Sequence, residues 1–500
     1  MNTFHGIVMN KLVIFFLAFF ILGFLFFSFR ITDVPPGING DEAAIGYNAA
    51  LVAKTGHDSS GRFLPLFVSA FDLTDWKQPI TFYSTVLAFK LFGPTFILLR
   101  EVSVVFVLIS AILIFLLGRE LMGLKFAFIS LFIFITIPSV LIQSHLALEN
   151  IAPVPFTILW LLMLAKYKNT FKQKFLYLGG LFLGIDLFSY SAVRIIFPIF
   201  CLLSIGFVYY LNRKKNFRFK ICSILKFSVI VAIFPFFMLA IKDQYPGAIL
   251  AYNRPHGVPT YQEFVISYIS SYDPSFLFIQ GDSTPYHSTG KQGVFLLATL
   301  PLFVFGIWRI AQRKDPFLIL ILLTFLLTPA FYGLAASIHR GSRLLSLLPT
   351  FTIITSFGAV ELFKLKKFWK NLAIFIICGL IILNYLDFTR DYFYDYPNRV
   401  KSEFAKPYQL VFEKAGQLVK SDDFTPYIQS DFRGQNEIAI DFFEQTFPGN
   451  LKSWKEGQAV PAGSVIIVSD YILAKKKEIP QFNTGEGFGL LINQTKNAIR

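Results

Sequence analysis

The sequence predicts an all-α polytopic membrane protein with a small α/β domain at its C-terminus. Hydrophobic residues make up 54% of the 500 residues and charged residues only 15%, whereas soluble domains carry charge on about 25% of their residues. About eleven segments are long and apolar enough to cross a bilayer, since a spanning helix needs about 20 apolar residues. After Asp387 the composition changes to that of a soluble domain.

The last of the apolar segments ends near residue 388, and this point divides the chain into two predicted domains. A transmembrane domain is predicted over 1–388, with two large polar outer loops at 30–94 and 242–293, and an extracytoplasmic α/β domain over 389–500. The predicted spans are 11–29, 95–117, 126–143, 151–167, 175–192, 193–211, 221–241, 294–312, 317–337, 343–363 and 372–388.

Basic residues are concentrated in alternate short loops between the spans, for example 213–220 and 364–370. An excess of Lys and Arg marks cytoplasmic loops. The N-terminus is therefore predicted in the cytoplasm, and both large loops and the C-terminal domain outside the cytoplasmic membrane. The same placement argues against nucleic acid as a partner, although the net charge is +15. The three cysteines lie far apart inside predicted spans and match no metal or disulfide pattern.

The C-terminal domain is predicted to combine one amphipathic helix with three strands. Apolar residues recur at helical spacing between 408 and 419. The run Val465-Ile466-Ile467-Val468 is typical of a buried strand, and further strands are predicted at 426–429 and 489–493.

The first outer loop, 30–94, has the most distinctive polar pattern. Pro35 and Pro36 prevent a helix there, because proline lacks a donor and disfavours helix in the residue before it. The acidic pair Asp41-Glu42 follows, and apolar residues at helical spacing predict a helix with Asp41 at its N-cap. The segment 79–92 is too short to span and too apolar to lie in water, so it is predicted to lie in the membrane interface.

Further polar junctions lie at the predicted outer edge of the membrane, at 143–150, 186–194, 281–291 and 338–343. Charged groups at a membrane edge are costly and are functional candidates by default. The candidates in these junctions are His145, Glu149, Tyr190, Arg194, His287, Lys291, His339, Arg340 and Arg343.

The first loop resembles that of a known family. Gly40-Asp41-Glu42-Ala43, the turn Gly56-His57-Asp58, the segment Lys77-Gln78-Pro79-Ile80 with Tyr83, and Phe92-Gly93 leading to Arg100 occur in order directly after the first span. This pattern is similar to polyprenyl-phosphate-dependent membrane glycosyltransferases of the GT-C fold, the branch of protein O-mannosyltransferases and lipid A aminoarabinose transferases. The resemblance is specific over about 35–105 and looser over the remaining spans.

The resemblance implies an enzyme that moves a sugar from a polyprenyl-phosphate donor to a lipid, glycan or protein acceptor at the outer face of the membrane. The acidic position matching Asp41 is the catalytic one, with Glu42 the next candidate. The family commonly has Lys before the proline of the loop's end, where this chain has Gln78, with Lys77 one residue earlier. Cations at the outer edge are candidates for the donor phosphate: Lys77, Arg100, Arg194, His339, Arg340 and Arg343. Candidates for the sugar or acceptor are Tyr83, His145, Glu149, Tyr190, His287 and Lys291.

Several alternatives remain open from the residues alone. Asp41 and Glu42 could simply stabilise the first turn of a helix. His145 and Glu149 could hold a divalent metal with Asp41 or cap the fourth span, and His287 and Lys291 could belong to a solvated loop. Arg194 could form a structural ion pair with Asp186. As a whole, the chain could be a transporter or flippase of lipid-linked glycans, although no internal repeat typical of carriers is found.

Overall fold

In the structure, a computed structural model, residues 2–70, 75–250, 259–335, 341–362, 364, 367–430, 437–484 and 487–494 are described. The chain divides into two compact units. The first unit comprises Met1–Phe29, Leu66–Phe82 and Arg100–Asp395, and the second comprises Arg30–Pro65, Tyr83–Leu99 and Tyr396–Arg500. The sequence did not predict this grouping, and the predicted boundary at residue 388 stays a prediction.

The described chain is mostly helical. Its helices are Asn2–Phe27 (α1), Gly40–Thr55 (α2), Pro79–Phe92 (α3), Phe96–Met122 (α4), Leu124–Ile135 (α5), Pro138–Ser144 (α6), Pro153–Thr170 (α7), Lys174–Asp186 (α8), Val193–Leu211 (α9), Phe217–Ala240 (α10), Pro246–Leu250 (α11), Tyr261–Ser270 (α12), Leu300–Arg313 (α13), Pro316–Leu327 (α14), Ala330–Ala335 (α15), Leu347–Leu362 (α16), Lys367–Arg390 (α17), Tyr396–Arg399 (α18), Lys406–Asp422 (α19), Glu437–Thr446 (α20) and Asp470–Lys475 (α21). Its strands are Val68–Ala70 (β1), Asp75–Lys77 (β2), Thr425–Gln429 (β3), Lys452–Trp454 (β4), Ser464–Ser469 (β5), Gln481–Asn483 (β6) and Phe488–Asn493 (β7).

Several of these helices are long and apolar enough to cross a membrane. Five qualify among the described residues: Phe96–Met122, Glu149–Thr170, Val193–Leu211, Phe217–Ala240 and Asn371–Arg399. A sixth span is formed if the bent pair α5 and α6 is counted as one. The chain is therefore a multi-pass membrane protein. Each of the eleven apolar windows contains helix, but the number of spans stays a prediction.

The bend between α5 and α6 has a local cause. The two helix axes differ by 62°. Pro138 occupies the first turn of α6, and Ile137 before it is extended, with φ −74° and ψ 123°. A residue that precedes proline is disfavoured in the helical region, so the helix ends at Ile135 and restarts after the bend. The outer junction at 143–150 begins at the end of the short helix α6.

Close helix packing in the first unit depends on glycine. Helix α13 packs on α16, and a Cβ atom on Gly358 would overlap the carbonyl oxygen of Leu302, while one on Gly306 would overlap that of Ile354. Small residues allow helix backbones to approach closely in membrane proteins. Three residues after Gly306 and Gly358, Arg309 donates to the buried carboxylate of Glu361 through Nε at 2.8 Å and Nη2 at 2.6 Å.

The second unit contains a five-stranded mixed sheet in the order β4-β3-β5-β7-β6. Strand β3 pairs in parallel with β4 and β5, and β7 pairs antiparallel with β5 and β6. Trp454, Ile466, Val468, Ile472 and Leu491 form part of its buried core. The predicted helix at 408–419 and the predicted strands at 426–429, 465–468 and 489–493 are confirmed as α19, β3, β5 and β7. Sequence patterns did not reveal α20, α21, β4 or β6.

The same unit includes the loop and helix that follow the first predicted span. Helix α2 packs on α20, and the loop before α2 contacts the start of α19. There, the Ala405 amide donates to the carbonyl of Ile38 at 2.9 Å, and Gln409 Nε2 donates to the carbonyl of Thr32 at 3.3 Å. The acidic pair is thus carried on a helix that α19 and α20 support.

Candidate active site

The start of α2 differs from the prediction in its cap. Asn39, not Asp41, is the N-cap residue: its Oδ1 accepts from the Glu42 amide at 2.9 Å, and Glu42 Oε2 accepts from the Asn39 amide at 3.2 Å. These two bonds form a capping box. Asparagine caps a helix as well as aspartate does, and Asn39 lies at the point where the chain leaves the Pro35-Pro36 segment, so the helix begins two residues earlier than the acidic pair suggested.

The capping box gives the two acidic residues different environments. Glu42 is fully buried, and its carboxylate completes the box. Asp41 is exposed in the first turn, where the positive end of the helix dipole stabilises a negative charge. Of the pair, Asp41 is therefore the carboxylate that substrates could reach from solvent.

The far end of α2 leads into a tightly ordered turn. Gly56 terminates the helix with φ +80°, a left-handed conformation that favours glycine. Asp58 Oδ1 accepts from the amides of Ser60 and Arg62, each at 2.9 Å. Tyr83 closes the segment, because its hydroxyl donates to the carbonyl of Pro65 at 2.7 Å. Its predicted contact with substrate stays a prediction.

In the first unit, Gln78 connects two of the predicted site residues. The Gln78 amide donates to Glu149 Oε1, and Gln78 Oε1 accepts from Arg194 Nη2. Arg194 also donates to the carbonyl of Ala248 and lies over the ring of Phe67, 5.5 Å from its centroid. Gln78, only 1% exposed, thus holds a carboxylate and a guanidinium together. In the sequence, Gln78 was noted only because it occupies the position before Pro79 at which the family commonly has Lys.

Two more predicted phosphate ligands are buried in the first unit. Lys77 is 5% exposed and its Nζ lies 2.5 Å from Asp75 Oδ2. Arg100 is fully buried in α4. One turn further along α4, Ser103 Oγ donates to the carbonyl of Leu146 at 2.7 Å, which ties this face of the helix to the 143–150 junction. Buried cations need compensating negative charge or strong acceptors, so both positions suit an anion or a carboxylate.

A second polar cluster joins the 143–150 junction to the second outer loop. Gln143 Nε2 lies 3.1 Å from His287 Nδ1, and Asn150 Nδ2 donates to Gln143 Oε1 at 3.3 Å. An earlier part of that loop contacts the 338–343 junction, because Asp282 accepts from the Gly341 amide. Gln143, Asn150 and Asp282 were not singled out from the sequence, although all three lie inside junctions that their polarity had marked, at 143–150 and 281–291.

The 338–343 junction is described only from Gly341 onward. Arg343, half-buried, lies in a 3-10 turn over Gly341–Leu344, and this turn packs on the 3-10 turn Glu149–Ile151. The structure therefore brings Arg343 and Glu149 onto neighbouring turns. His339 and Arg340 lie outside the described residues.

The remaining candidates have other neighbours. His145 is buried, its Nε2 lies 2.8 Å from the carbonyl oxygen of Phe27, and its ring packs near Tyr392 and Phe393. Lys291 Nζ pairs with Asp391 at 3.2 Å. Tyr190 is half-buried. For these three residues, a role in substrate binding stays a prediction.

Two of the alternatives can be compared with the structure. Asp186 does not pair with Arg194; its carboxylate accepts from Ser189 Oγ at 2.7 Å and from Thr157 Oγ1 at 3.3 Å. The expected structural ion pair is therefore wrong. Within the described ranges, no group of three or more His, Cys, Asp or Glu residues has an arrangement that could hold a metal ion.

The chemistry available in the first unit is that of anion and hydroxyl binding. Glu149, Gln78 and Arg194 form one bonded group, and Gln143, Asn150 and His287 form another, with Glu149 and Asn150 adjacent in the chain. Guanidinium groups bind phosphate oxygens in bidentate fashion, and carboxylate and amide side chains pair with hydroxyl groups. Asp41, Glu42 and Tyr83 belong to the second unit.

No protein-family model matches the sequence, and the comparison with curated proteins finds no match. Solved structures do match. ArnT from Cupriavidus metallidurans bound to undecaprenyl phosphate aligns with a TM-score of 0.54 at 12% identity, over 97% of this chain and 99% of that chain. The apo state of the same protein aligns with a TM-score of 0.56 at 12% identity, over 97% and 98%. The archaeal oligosaccharyltransferase AglB from Archaeoglobus fulgidus aligns at 0.49 with 11% identity, over 97% and 75%. The chain therefore shares the fold of ArnT, a GT-C fold, which confirms the fold that the first outer loop implied.

Proposed function

We propose that this protein is an integral-membrane glycosyltransferase that transfers a sugar from a polyprenyl-phosphate carrier to a glycan, lipid or protein acceptor. One observation supports this most strongly: the fold matches ArnT over nearly the whole of both chains, and that ArnT structure holds undecaprenyl phosphate. The polar clusters at the outer junctions agree with it, because they contain the cations and hydroxyl-binding groups that such a donor needs.

The proposed reaction is a single displacement with inversion at the anomeric carbon. The acceptor hydroxyl attacks that carbon and loses its proton to Asp41. The bond from the sugar to the phosphate oxygen breaks, and the electron pair leaves with the polyprenyl phosphate. This leaving group is a stable anion at neutral pH, so one carboxylate suffices, unlike the two of a glycosidase. Burial of Glu42 in the capping box favours Asp41 as the base.

The proposed ligands of the donor phosphate are the cations of the outer junctions. Positive groups that are fixed before reaction stabilise the charge that develops on a leaving phosphate. Arg194 and Arg343 are the strongest candidates. Arg194 is linked to Glu149 through Gln78, and the turn that contains Arg343 packs on the turn that contains Glu149. Lys77, Arg100, His339 and Arg340 complete the proposed set.

Sugar and acceptor hydroxyls are assigned to the polar side chains nearby. Glu149 and His287 are proposed to orient hydroxyl groups, since carboxylates accept and imidazole can donate or accept. His145, Tyr83, Tyr190 and Lys291 are further proposed contacts. The site is proposed to face the outside of the cytoplasmic membrane, as the distribution of basic loops predicts.

The proposal is tested by donor turnover. The purified full chain is reconstituted in vesicles with lipid extracts from its source cells, and free polyprenyl phosphate is measured by mass spectrometry. A transferase releases polyprenyl phosphate when donor and acceptor lipids are both present. A flippase changes only the side of the membrane on which the donor lies, so sidedness without release would contradict the proposal. Comparison of lipid-linked sugars and surface glycans in cells with and without the gene identifies the sugar.

A further inference from the structure

A polar cleft in the second unit has no part in the roles assigned above. Its volume is about 710 Å³, within the range of roughly 300–1,000 Å³ typical of ligand sites. The cleft is lined by the end of β3, the face of α20, the start of β4 and Lys54 from the last turn of α2. Its lining is dominated by carboxylate, amide and hydroxyl groups.

The position of the cleft in the sheet is one used for ligands. Strand β3 lies between β4 and β5, to both of which it is parallel. From β3 the chain passes through α20 to β4 on one side, and then crosses to β5 on the other. The direction in which strands are added therefore reverses beside β3. In open α/β sheets, ligands bind outside the carboxyl ends of the strands where this reversal occurs, and Gln429 is the last residue of β3.

Gln429 provides the observation that points to a ligand. It is only 7% exposed and lines the cleft. Its Oε1 is held by the Ser469 amide at 3.0 Å and by Ser469 Oγ at 3.2 Å. Among the described residues, Nε2 of Gln429 donates to no acceptor, yet it keeps contact with solvent. A buried amide that lines a cleft, with its oxygen fixed and its NH₂ group without an acceptor, is suited to donate to a bound molecule.

The rest of the lining indicates a ligand with many hydroxyl groups. Glu437, Asp441 and Glu444 lie at intervals of four and three along α20 and all line the cleft, so they share one helix face. Carboxylates only accept, an amide both donates and accepts, and a hydroxyl does both. Vicinal sugar hydroxyls can donate to the carboxylates and accept from Gln429 and Lys54. An anionic lipid or phosphate would instead meet three carboxylates.

The length of α2 indicates that the ligand is extended. Lys54 and Asp41 are thirteen positions apart in the same helix, which corresponds to about 20 Å at 1.5 Å per residue. An acceptor that is held in the cleft and whose hydroxyl loses its proton to Asp41 must span that distance. A chain of several sugars can do so, whereas a single sugar cannot.

We infer that this cleft binds the acceptor, and that the acceptor is an oligosaccharide chain whose distal sugars contact Gln429 and the acidic face of α20. The inference rests on the proposed transfer activity. Contacts far from the reacting bond supply binding energy that positions the acceptor hydroxyl.

Binding of soluble sugars to the full chain in detergent tests the inference. The probes are neutral linear trisaccharides of glucose, mannose and N-acetylglucosamine, titrated by calorimetry up to tens of millimolar. Gln429→Glu keeps the acceptor for Ser469 but removes the NH₂ donor, and Asp441→Asn removes one charged acceptor without changing shape. Gln417→Leu, on the exposed face of α19, is the matched control.

The expected result is that at least one trisaccharide binds the wild-type chain and Gln417→Leu equally. Its affinity is expected to fall about tenfold in Gln429→Glu and in Asp441→Asn, the effect of losing one hydrogen bond to a charged or fixed group. Absence of binding to the wild-type chain, or unchanged affinity in both cleft variants, overturns the inference. Donor turnover is measured on the same preparations: turnover without sugar binding leaves the transferase proposal intact and removes only the glycan site.

Discussion

Gly46 of α2 lies directly against the ring of Phe442 in α20, such that a Cβ atom on Gly46 would lie 2.5 Å from Cε2 of that ring. Phe442 is fully buried. The helix that carries Asp41 therefore packs against the C-terminal part of the chain, almost four hundred residues further along the sequence. This contact requires glycine because the two helices approach too closely for any larger residue.

Gly46→Ala is expected to destabilise the protein by about 1–3 kcal/mol, as overpacking of a tight core contact does. The loss should occur despite the better helix propensity of Ala, about 1 kcal/mol. In a Phe442→Ala background the ring is absent, and Gly46→Ala should be close to neutral or stabilising. Thermal unfolding of the four proteins of this double-mutant cycle in detergent measures the coupling, and strictly additive changes would show that the two residues do not contact.

Asp41→Asn is expected to reduce transfer by about 10²–10⁴-fold, the usual effect of removing a positioned general base. Stability should be almost unchanged, because Asn39 and not Asp41 caps the helix. Asn39→Ala is the matched control: it should lower stability by about 1 kcal/mol with a much smaller loss of activity per folded molecule. Wild-type turnover in Asp41→Asn would refute the catalytic role, and a product with retained anomeric configuration would refute the single displacement.

Arg343→Ala is expected to weaken donor binding by about 10–100-fold, which corresponds to one charge-assisted contact with phosphate. Arg343→Lys should recover only part of the affinity, because an ammonium cannot bind two phosphate oxygens in the planar geometry of a guanidinium. Undecaprenyl phosphate binding is measured by native mass spectrometry. Arg213→Ala, in a predicted cytoplasmic loop, serves as the control, and equal affinity in Arg343→Ala and Arg213→Ala would exclude Arg343 as a phosphate ligand.

Asp315 links two helices of the first unit through its side chain. It caps α14 by accepting from the Phe317 amide at 2.9 Å, and Lys168 Nζ of α7 lies 2.7 Å from its Oδ2. Partial burial alone would raise the pKa of Asp315, but the hydrogen bonds from Lys168 and from the amides of Leu318 and Phe317 outweigh it and hold the pKa below the ordinary value of 3.8.

A carboxylate with a lowered folded-state pKa stabilises the fold above its unfolded-state pKa, and this stability is lost as the pH falls through the folded-state value. Asp315→Asn keeps a capping oxygen and should cost about 0.5–1 kcal/mol at neutral pH, as a partly exposed ion pair does. The difference between wild type and variant should shrink below about pH 3.8. A difference in unfolding temperature that does not change between pH 7 and pH 3 would contradict the ion-pair contribution.

Gly358→Ala is expected to destabilise the protein strongly, because the new Cβ atom would overlap the backbone carbonyl of Leu302, which cannot rotate away. The loss should reach about 3 kcal/mol, the upper part of the range for overpacking. Gly206→Ala is the matched control, because a Cβ atom on Gly206 of α9 meets nothing within 4 Å. That variant should be stabilised by up to about 1 kcal/mol. Similar melting temperatures for the two variants would contradict the close approach of α13 and α16.

Local patterns in the sequence were sufficient for much of the fold. Apolar runs of about 20 residues identify membrane helices because the bilayer offers no partner for an unpaired backbone group. A continuous run of β-branched residues located β5, and strands were also predicted where β3 and β7 occur. The order of motifs after the first span implied the fold that ArnT shares. Each of these patterns is formed by residues that are close together in the chain, so a single sequence is enough to recognise it.

Only the tertiary structure decided which polar groups meet. Asn39 takes the capping role assigned to Asp41, Gln78 joins Glu149 to Arg194, and Phe442 packs on Gly46. The pairs Asn39–Glu42, Gln78–Glu149, Gln78–Arg194 and Gly46–Phe442 are 3, 71, 116 and 396 positions apart. Residues that are far apart in the chain form no periodic pattern that a single sequence would reveal. Side-chain contacts of this kind depend on how whole helices pack, and helix packing depends on the shapes of many surfaces at once. The chemistry of each residue can therefore be read from the sequence, but its partner is decided by the packing of the folded chain.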